Sequence, residues 1–328
     1  MTLSQDALRQ LAAQWLADGK TVIGPVRIQP GKIWFSPLQS AGDLFLEGWV
    51  RPANSIKEAV FPRHEPLYGY RIEKNSVELT DLPAGVPEQI VIGAHPCDAV
   101  AFPILDKIFN WDYTDEFYNR RRAATTVVTF ACTTHDAQCF CTTVGLAPDS
   151  PRGSDILLSD RNDGTFAVHA LTEKGHALIP DTEQYAAAAQ PPAEQPAVKF
   201  DPAAVAAFAR AHFDDPFWAA QSLACIGCGA CAYTCPVCHC FDIVHEGNAL
   251  QGACVRNWDA CQFPLFTQHA SGHNPRRNQG DRQRQRIYHK FVIYPEKFGE
   301  ALCTGCGNCA RNCPEGLGVL PLVTRIHA

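Results

Sequence analysis

Methionine is all but absent: the 328 residues contain one, at the first position. Charge is sparse too, since Asp, Glu, Lys and Arg make up 19% against the roughly 25% of an ordinary soluble domain. A surface so poor in charge is expected where partners cover part of it. No stretch approaches the about eighteen uninterrupted apolar residues of a membrane span, so none is expected. The opening MTLSQDALRQLAAQWLADGK lacks the apolar core of an export signal; Leu8, Leu11, Trp15 and Leu16 instead fall at helical spacing, with Ser4 as a cap. No G-x-G-x-x-G opens a βαβ unit and no G-x-x-x-x-G-K-[ST] occurs, so the usual nicotinamide and ATP signatures are missing.

What the chain does have is sixteen cysteines, in a sequence that is 46% apolar with a formal charge of −6. That apolar content excludes a disordered protein. Without an export signal, so many thiols point to metal rather than disulfides, and to a cytoplasmic location.

Short β-type runs alternate with helix-like stretches from Thr21 to Leu178: Thr21 to Ile28, Gln89 to Ala94, Thr125 to Ala131 and Thr165 to His169, with a helical repeat over Cys97 to Phe109. Residues 1–180 are therefore expected to form an α+β domain with α/β character. Residues 181–200, rich in Ala, Pro and Gln, read as a linker or surface excursion. Asp201-Pro202 opens a helix bearing Val205, Phe208 and Ala209, and residues 201–328 hold twelve of the sixteen cysteines. This second part is expected to be an α-helical ferredoxin-like domain.

Two near-identical runs carry the strongest chemistry. One is Cys225-Ile-Gly-Cys228-Gly-Ala-Cys231-Ala-Tyr-Thr-Cys235-Pro236 and the other Cys303-Thr-Gly-Cys306-Gly-Asn-Cys309-Ala-Arg-Asn-Cys313-Pro314. This C-x2-C-x2-C-x3-C-P spacing wraps three thiolates around one iron–sulfur cube and sends the fourth to the neighbouring cube. Cys225, Cys228, Cys231 and Cys313 are thus expected to hold one [4Fe–4S] cluster, and Cys303, Cys306, Cys309 and Cys235 the other. Zinc, which takes four ligands, would leave the third and fourth cysteine of each run unexplained. The long insert between the runs is expected to be helical.

Cys97, Cys132, Cys139 and Cys141 lie in the first part of the chain, two of them just after β-type runs. If those runs are parallel strands, their carboxyl ends open into one crevice. Four thiols there match the count for a third cluster; the alternative is four buried free thiols packing as small hydrophobes. Cys238, Cys240, Cys254 and Cys261 remain. They could form a fourth iron–sulfur or a zinc site, with His239 or His245 contributing, or line the cluster cavities as packing thiols. The basic run Arg276, Arg277, Arg282, Arg284, Arg286 and Lys290 is read as a partner-docking face or a salt-bridged surface loop rather than a nucleic-acid site, because the chain is acidic and the run has one aromatic. His64-Glu65 and Asp112-Tyr113 fit no catalytic spacing.

GAHPCDAVAFPILDKIF from Gly93, ACTTHDAQCFCTTVG from Ala131, CIGCGACAYTCPVCHCFDI from Cys225, NWDACQF from Asn257 and HASGHNPR from His269, together with the second run, cover most of the chain beyond residue 40. In these the chain resembles the iron–sulfur electron-transfer subunits of anaerobic sulfite reductase and of cytosolic nickel–iron hydrogenases (the sulfhydrogenase β subunit). The resemblance implies a cytoplasmic, non-catalytic subunit. It would relay electrons between a flavin- and NAD(P)-binding subunit and a catalytic subunit of hydrogenase or sulfite reductase type. It leads one to expect a charged residue where Cys254 stands. No flavin or nicotinamide site is expected on this chain, no nucleic acid and no membrane span. Two rival readings are a self-sufficient iron–sulfur reductase with flavin in the first domain and a redox-sensing iron–sulfur protein.

Overall fold

Ser4 caps the first helix from where the sequence places it. In this computed structural model its Oγ accepts a hydrogen bond from the Ala7 N–H at 3.1 Å, and the helix runs Gln5–Ala17 with Leu8, Ala12 and Trp15 as its buried stripe. The structure describes residues 2–47, 51–81, 85–179, 183–184 and 195–327. In chain order the strands are β1 (Thr2–Ser4), β2 (Thr21–Gln29), β3 (Lys32–Pro37), β4 (His64–Glu73), β5 (Ser76–Asp81), β6 (Gln89–Ala94), β7 (Thr125–Phe130), β8 (Ile156–Asp160), β9 (Thr165–Ala170), β10 (Glu183–Gln184), β11 (Phe241–Gly247) and β12 (Gln251–Trp258).

Among the described residues, eight strands form one mixed sheet in the order β1-β9-β8-β7-β6-β2-β3, with β10 beside β9. Its centre, β2-β6-β7-β8, is parallel. The strand β6, QIVIGA, is buried throughout and apolar after Gln89, because both of its faces are covered. Ile90 and Ile92 pack with Leu8, Ala12 and Trp15 on one side. Val91 and Ala94 pack with Phe102, Leu105 and Tyr118 on the other. The pairing register of β6 with β7 shifts between Ile92 and Ala94, which puts Ala94 on the face of Val91 and re-aims the chain just before Cys97. The four strands expected from sequence are present, with no end moved by more than one residue. The helical repeat after β6 divides into Pro96–Ala99 and Ala101–Phe109.

Two sequence expectations need correction. The insert between the cysteine runs is not simply helical. It begins with the hairpin β11–β12, whose β-branched Ile243, Val244 and Val255 suit a pleated surface, and only then enters the helix Gln279–Tyr288. That hairpin pairs with β4–β5 from the first half of the chain in a sheet ordered β11-β12-β4-β5. The stretch read as a linker is also partly structured. Residues 180–182 and 185–194 lie outside the described residues, but β10 pairs with β9, and Phe200 is buried against Phe140 and Phe291. Thr142 donates to the Pro196 carbonyl at 2.6 Å, which ties this segment to the loop carrying Cys139 and Cys141.

Candidate metal centres

The two cysteine runs take the same backbone course, as their matched spacing requires. In each, two glycines at positive φ curl the chain, and a single helical turn, Ala230–Tyr233 or Asn308–Arg311, then carries the third cysteine. Cys225, Cys228 and Cys231 line a cavity with Gln262, Gln283 and Leu317, and the fourth thiol there is Cys313 of the other run. Conversely, Cys235 lies beside Cys303 and Cys306. Burial pushes both thiols up, Cys303 to about 11 against the opposing charge of Lys290; for Cys306, Cys97 adds to burial, and Cys235 adds at both. Cys313 thus joins the first three thiols of the other run, and Cys235 comes within electrostatic reach of Cys303 and Cys306. Leu317 N–H donates to Cys313 Sγ at 3.2 Å, and Val319 N–H to Cys309 Sγ at 3.3 Å.

Cys97, Cys132, Cys139 and Cys141 also share one cavity, lined in addition by Arg51, Pro196 and Cys306. The parallel sheet accounts for two of them: Cys97 follows β6 and Cys132 follows β7, so both emerge at the carboxyl edge. The other two sit on a loop shaped by Asp136, whose Oδ1 accepts from the N–H groups of Gln138 and Cys139 at 2.9 and 3.2 Å. This loop lies directly on the second run. The Phe140 N–H donates to the Gly305 carbonyl at 2.9 Å. A Cβ on residue 305 would stand 2.5 Å from the Cys141 Cα, so only glycine permits the approach.

All sixteen cysteines are free thiols. Burial drives Cys132 and Cys231 up to about 12. Thiols so held are neutral until a cation replaces the proton, so metal loading here releases protons.

Buried cations surround these thiols, and most of them lie where the sequence does not lead one to look. Arg282, Arg286 and Lys290 read in sequence as part of a surface run, yet all three are buried. Their spacing of four puts them on one helix face, the signal that the sequence offers. Gln283, on the same helix, donates to Cys225 Sγ at 3.3 Å. Lys290 Nζ donates to Cys235 Sγ at 3.4 Å, to Cys238 Sγ at 3.8 Å and to the Leu302 carbonyl at 2.9 Å. It does so where the helix passes into a π turn, His289–Ile293. Burial opposes the charge on Arg286, but Cys231 and Cys309 more than offset it and raise its pKa. Its Nε and Nη2 have no hydrogen-bond partner among the described residues. Lys57, from a segment with no motif, donates to the carbonyls of Ala232 and Cys238 at 3.1 and 2.8 Å. Of the basic run, Arg277 is exposed and Arg284 partly so, with its guanidinium 3.8 Å from the Phe213 ring centroid.

Buried cations that face cysteine sulfurs rather than carboxylates, with guanidinium nitrogens unpartnered, fit a site completed by an anionic group. Cysteine-ligated iron–sulfur cubes are such groups. Among the described residues, no three His, Cys, Asp or Glu side chains gather around a point suited to a single ion.

The residual set Cys238, Cys240, Cys254 and Cys261 is not brought together. Cys238 lies by Cys235, and a shared hydrogen bond between Cys240 and Cys261 lowers the pKa of the latter to about 6. Cys254 stands five residues along β12 from Asp259, which pairs with Cys240; at about 3.3 Å per residue that is roughly 16 Å away. It faces Tyr68 instead. His245 is its exposed partner across the hairpin. His239 is packed 5.4 Å from His289, and burial lowers its pKa to about 4. Glu65 belongs to a buried ion network with Arg121 and Arg256, while Asp112 and Tyr113 are exposed.

Residues 224–317 match the family described as "4Fe-4S dicluster domain". Over 308 residues the chain is 30% identical to "Sulfhydrogenase 2 subunit beta" of Pyrococcus furiosus, covering 89% of this chain and 88% of that protein. No solved structure matches.

Proposed function

This chain belongs to the iron–sulfur hydrogenase β-subunit family, and we propose that it is the electron-relay subunit of a larger oxidoreductase, with no substrate chemistry of its own. In this reading Cys225, Cys228, Cys231 and Cys313 hold one [4Fe–4S] cluster and Cys303, Cys306, Cys309 and Cys235 a second. Cys97, Cys132, Cys139 and Cys141 hold a third. Each cluster, when bound, takes up and releases one electron. The observation that carries the relay is contiguity: the second run meets the first in the cavity that Cys313 shares with Cys225, Cys228 and Cys231, and meets the N-terminal loop through Gly305 and Phe140. Residues 1–180 would form one domain and 201–328 the other.

A relay needs a contact at each end. Cys228 is exposed, and Leu223 and Ile226 beside it are 87% and 67% exposed. Large apolar side chains left in water around a ligand position suit a face that another subunit covers. We assign the partners as a flavin- and NAD(P)-linked subunit and a catalytic subunit of hydrogenase type, the latter from the name of the relative; a sulfite reductase type is the competing partner. Free thiols throughout go with a reducing compartment, and the cytoplasm is the one proposed. No described helix is long and apolar enough to cross a membrane.

Purification of the tagged full chain without oxygen tests this reading. It should bring down a flavin-bearing and a catalytic subunit, and the chain itself should hold about twelve irons and no flavin. Stoichiometric flavin on the chain alone would establish the self-sufficient reductase instead. Recovery of a sulfite-reducing enzyme would change the catalytic partner.

A further inference from the structure

Arg51 lies between two cysteine sets. Its Nη2 donates to Cys97 Sγ at 3.0 Å and to the Cys306 carbonyl at 2.9 Å. Its Nη1 lies 3.6 Å from Asp98 Oδ2, its side chain is 8% exposed, and its Nε has no partner among the described residues. Asp98 is itself engaged, accepting from the His95 N–H at 3.2 Å as it caps the turn that presents Cys97. Arg311 also spans the gap, donating to Cys306 O at 2.5 Å and Cys139 Sγ at 3.2 Å. Asp136 neutralises it directly through paired contacts of 2.7 and 2.5 Å. Of the two arginines, Arg51 has the more distant carboxylate and so leaves more positive charge facing the thiols.

We propose that Arg51 is an electrostatic bridge between the N-terminal cysteine set and the second ferredoxin run, raising the reduction potential of the cluster at each and coupling the two reductions. This rests on the reading that Cys97, Cys132, Cys139 and Cys141 hold a cluster. A buried positive charge favours the more negative, reduced form of whatever it faces, and low local dielectric enlarges the effect. Each one-electron reduction adds a negative charge with no proton taken up by Arg51, so a cation shared by both sites also offsets the repulsion between two reduced sites. The planar fork of guanidinium reaches a sulfur and a carbonyl together; an ammonium retains the charge without that span.

The test uses the full chain, loaded with iron and sulfide without oxygen and titrated with dithionite under EPR. Arg51→Met should keep the wild-type iron content and shift both reduction equilibria toward the oxidised form at least about tenfold, about 59 mV for a one-electron couple. Arg51→Lys should recover part of that shift. Full iron with unmoved potentials in Arg51→Met would overturn the bridge and leave the third cluster standing. Separately, Cys139→Ser/Cys141→Ser should lose about four irons. If it loses none, the underlying cluster reading fails. Should Arg51→Met lose iron, Arg51→Lys decides: full iron with both potentials below wild type supports the bridge, whereas unmoved potentials, or loss of iron there too, overturn it.

Discussion

Lys290 Nζ lies 3.4 Å from Cys235 Sγ, inside the protein, on the helix face that also carries Arg282 and Arg286. Burial alone would discharge this ammonium, but Cys235 and Cys238 outweigh it and raise its pKa. Cys235 moves the opposite way: its hydrogen bond with Cys238 lowers its pKa against burial, and Lys290 adds to that. A lysine and a thiolate that each keep the other charged hold Cys235 in the form that ligates iron, and leave a buried positive charge to offset the net negative charge of a cysteine-ligated cluster.

Lys290→Met should therefore lower the potential of the cluster assigned to Cys303, Cys306, Cys309 and Cys235, by about tenfold or more in the reduction equilibrium. The check is an EPR-monitored titration at matched iron content. A potential equal to wild type would mean that Lys290 serves only to fill space.

Reversing the basic run has a different expected outcome from that of a surface patch. Arg282→Glu together with Arg286→Glu places carboxylates where the structure has two buried cations, Arg286 among them facing Cys231 and Cys309, and the chain should lose the iron held by the two cysteine runs. Arg284→Ala removes contacts with the Phe213 ring and carbonyl, with the exposed Asp214 and with Asp281, none of them a thiol, and should cost about 1 kcal/mol or less with full iron. Iron analysis and comparative melting of the two variants settle it; iron-replete Arg282/Arg286 reversals that merely fall off a partner would restore the docking-face reading.

The cysteine runs were legible because their pattern is local: closely spaced thiols with glycines at the curls declare themselves in any context, although the fourth thiol of each run faces the other. The strand ends at Cys97 and Cys132 were legible from β propensity and the geometry of parallel sheets. The cations were not. Charge counting treats a basic run as solvated, and only the folded chain reveals that thiols, not water, lie opposite Arg286 and Lys290. Arg51 and Lys57 carry no motif, since their partners come from the Cys306 and Cys238 regions, far along the chain. The second sheet escaped notice for the same reason, as β4 finds β12 only after the chain has passed through both halves.

Cys313→Ala tests the exchange of ligands between the runs. It should disable the cluster built mainly by Cys225, Cys228 and Cys231, because Cys313 lines that cavity, and should spare the one nearest to it in sequence. Mössbauer or EPR spectra resolving the two signals make the check. Loss confined to the cluster of Cys303, Cys306 and Cys309 would sink the assignment.

Glu300 ties the cysteine-rich part to the first sheet domain, and its pH behaviour follows from that contact. Lys107 Nζ donates to its Oε1 at 2.6 Å, and Arg152 grips both oxygens at 2.7 and 2.9 Å. Burial works against the charge, but hydrogen bonds from Arg152 and Lys107 prevail and hold the carboxyl below its ordinary value. A carboxylate lowered in the folded state contributes stability that is complete above its unfolded pKa of about 4.3 and is lost as pH falls through the folded value. Glu300→Gln should therefore lower the apparent melting temperature by about 2 °C, the size expected for a partly exposed network worth about 1 kcal/mol. That deficit should be equal at about pH 8 and about pH 5.5, since both lie above the unfolded pKa. Melting of wild type and variant in parallel at the two values is the measurement. A deficit that shrinks between them would show the carboxyl titrating in that window, and the ion triad could not then be what holds Glu300 in place.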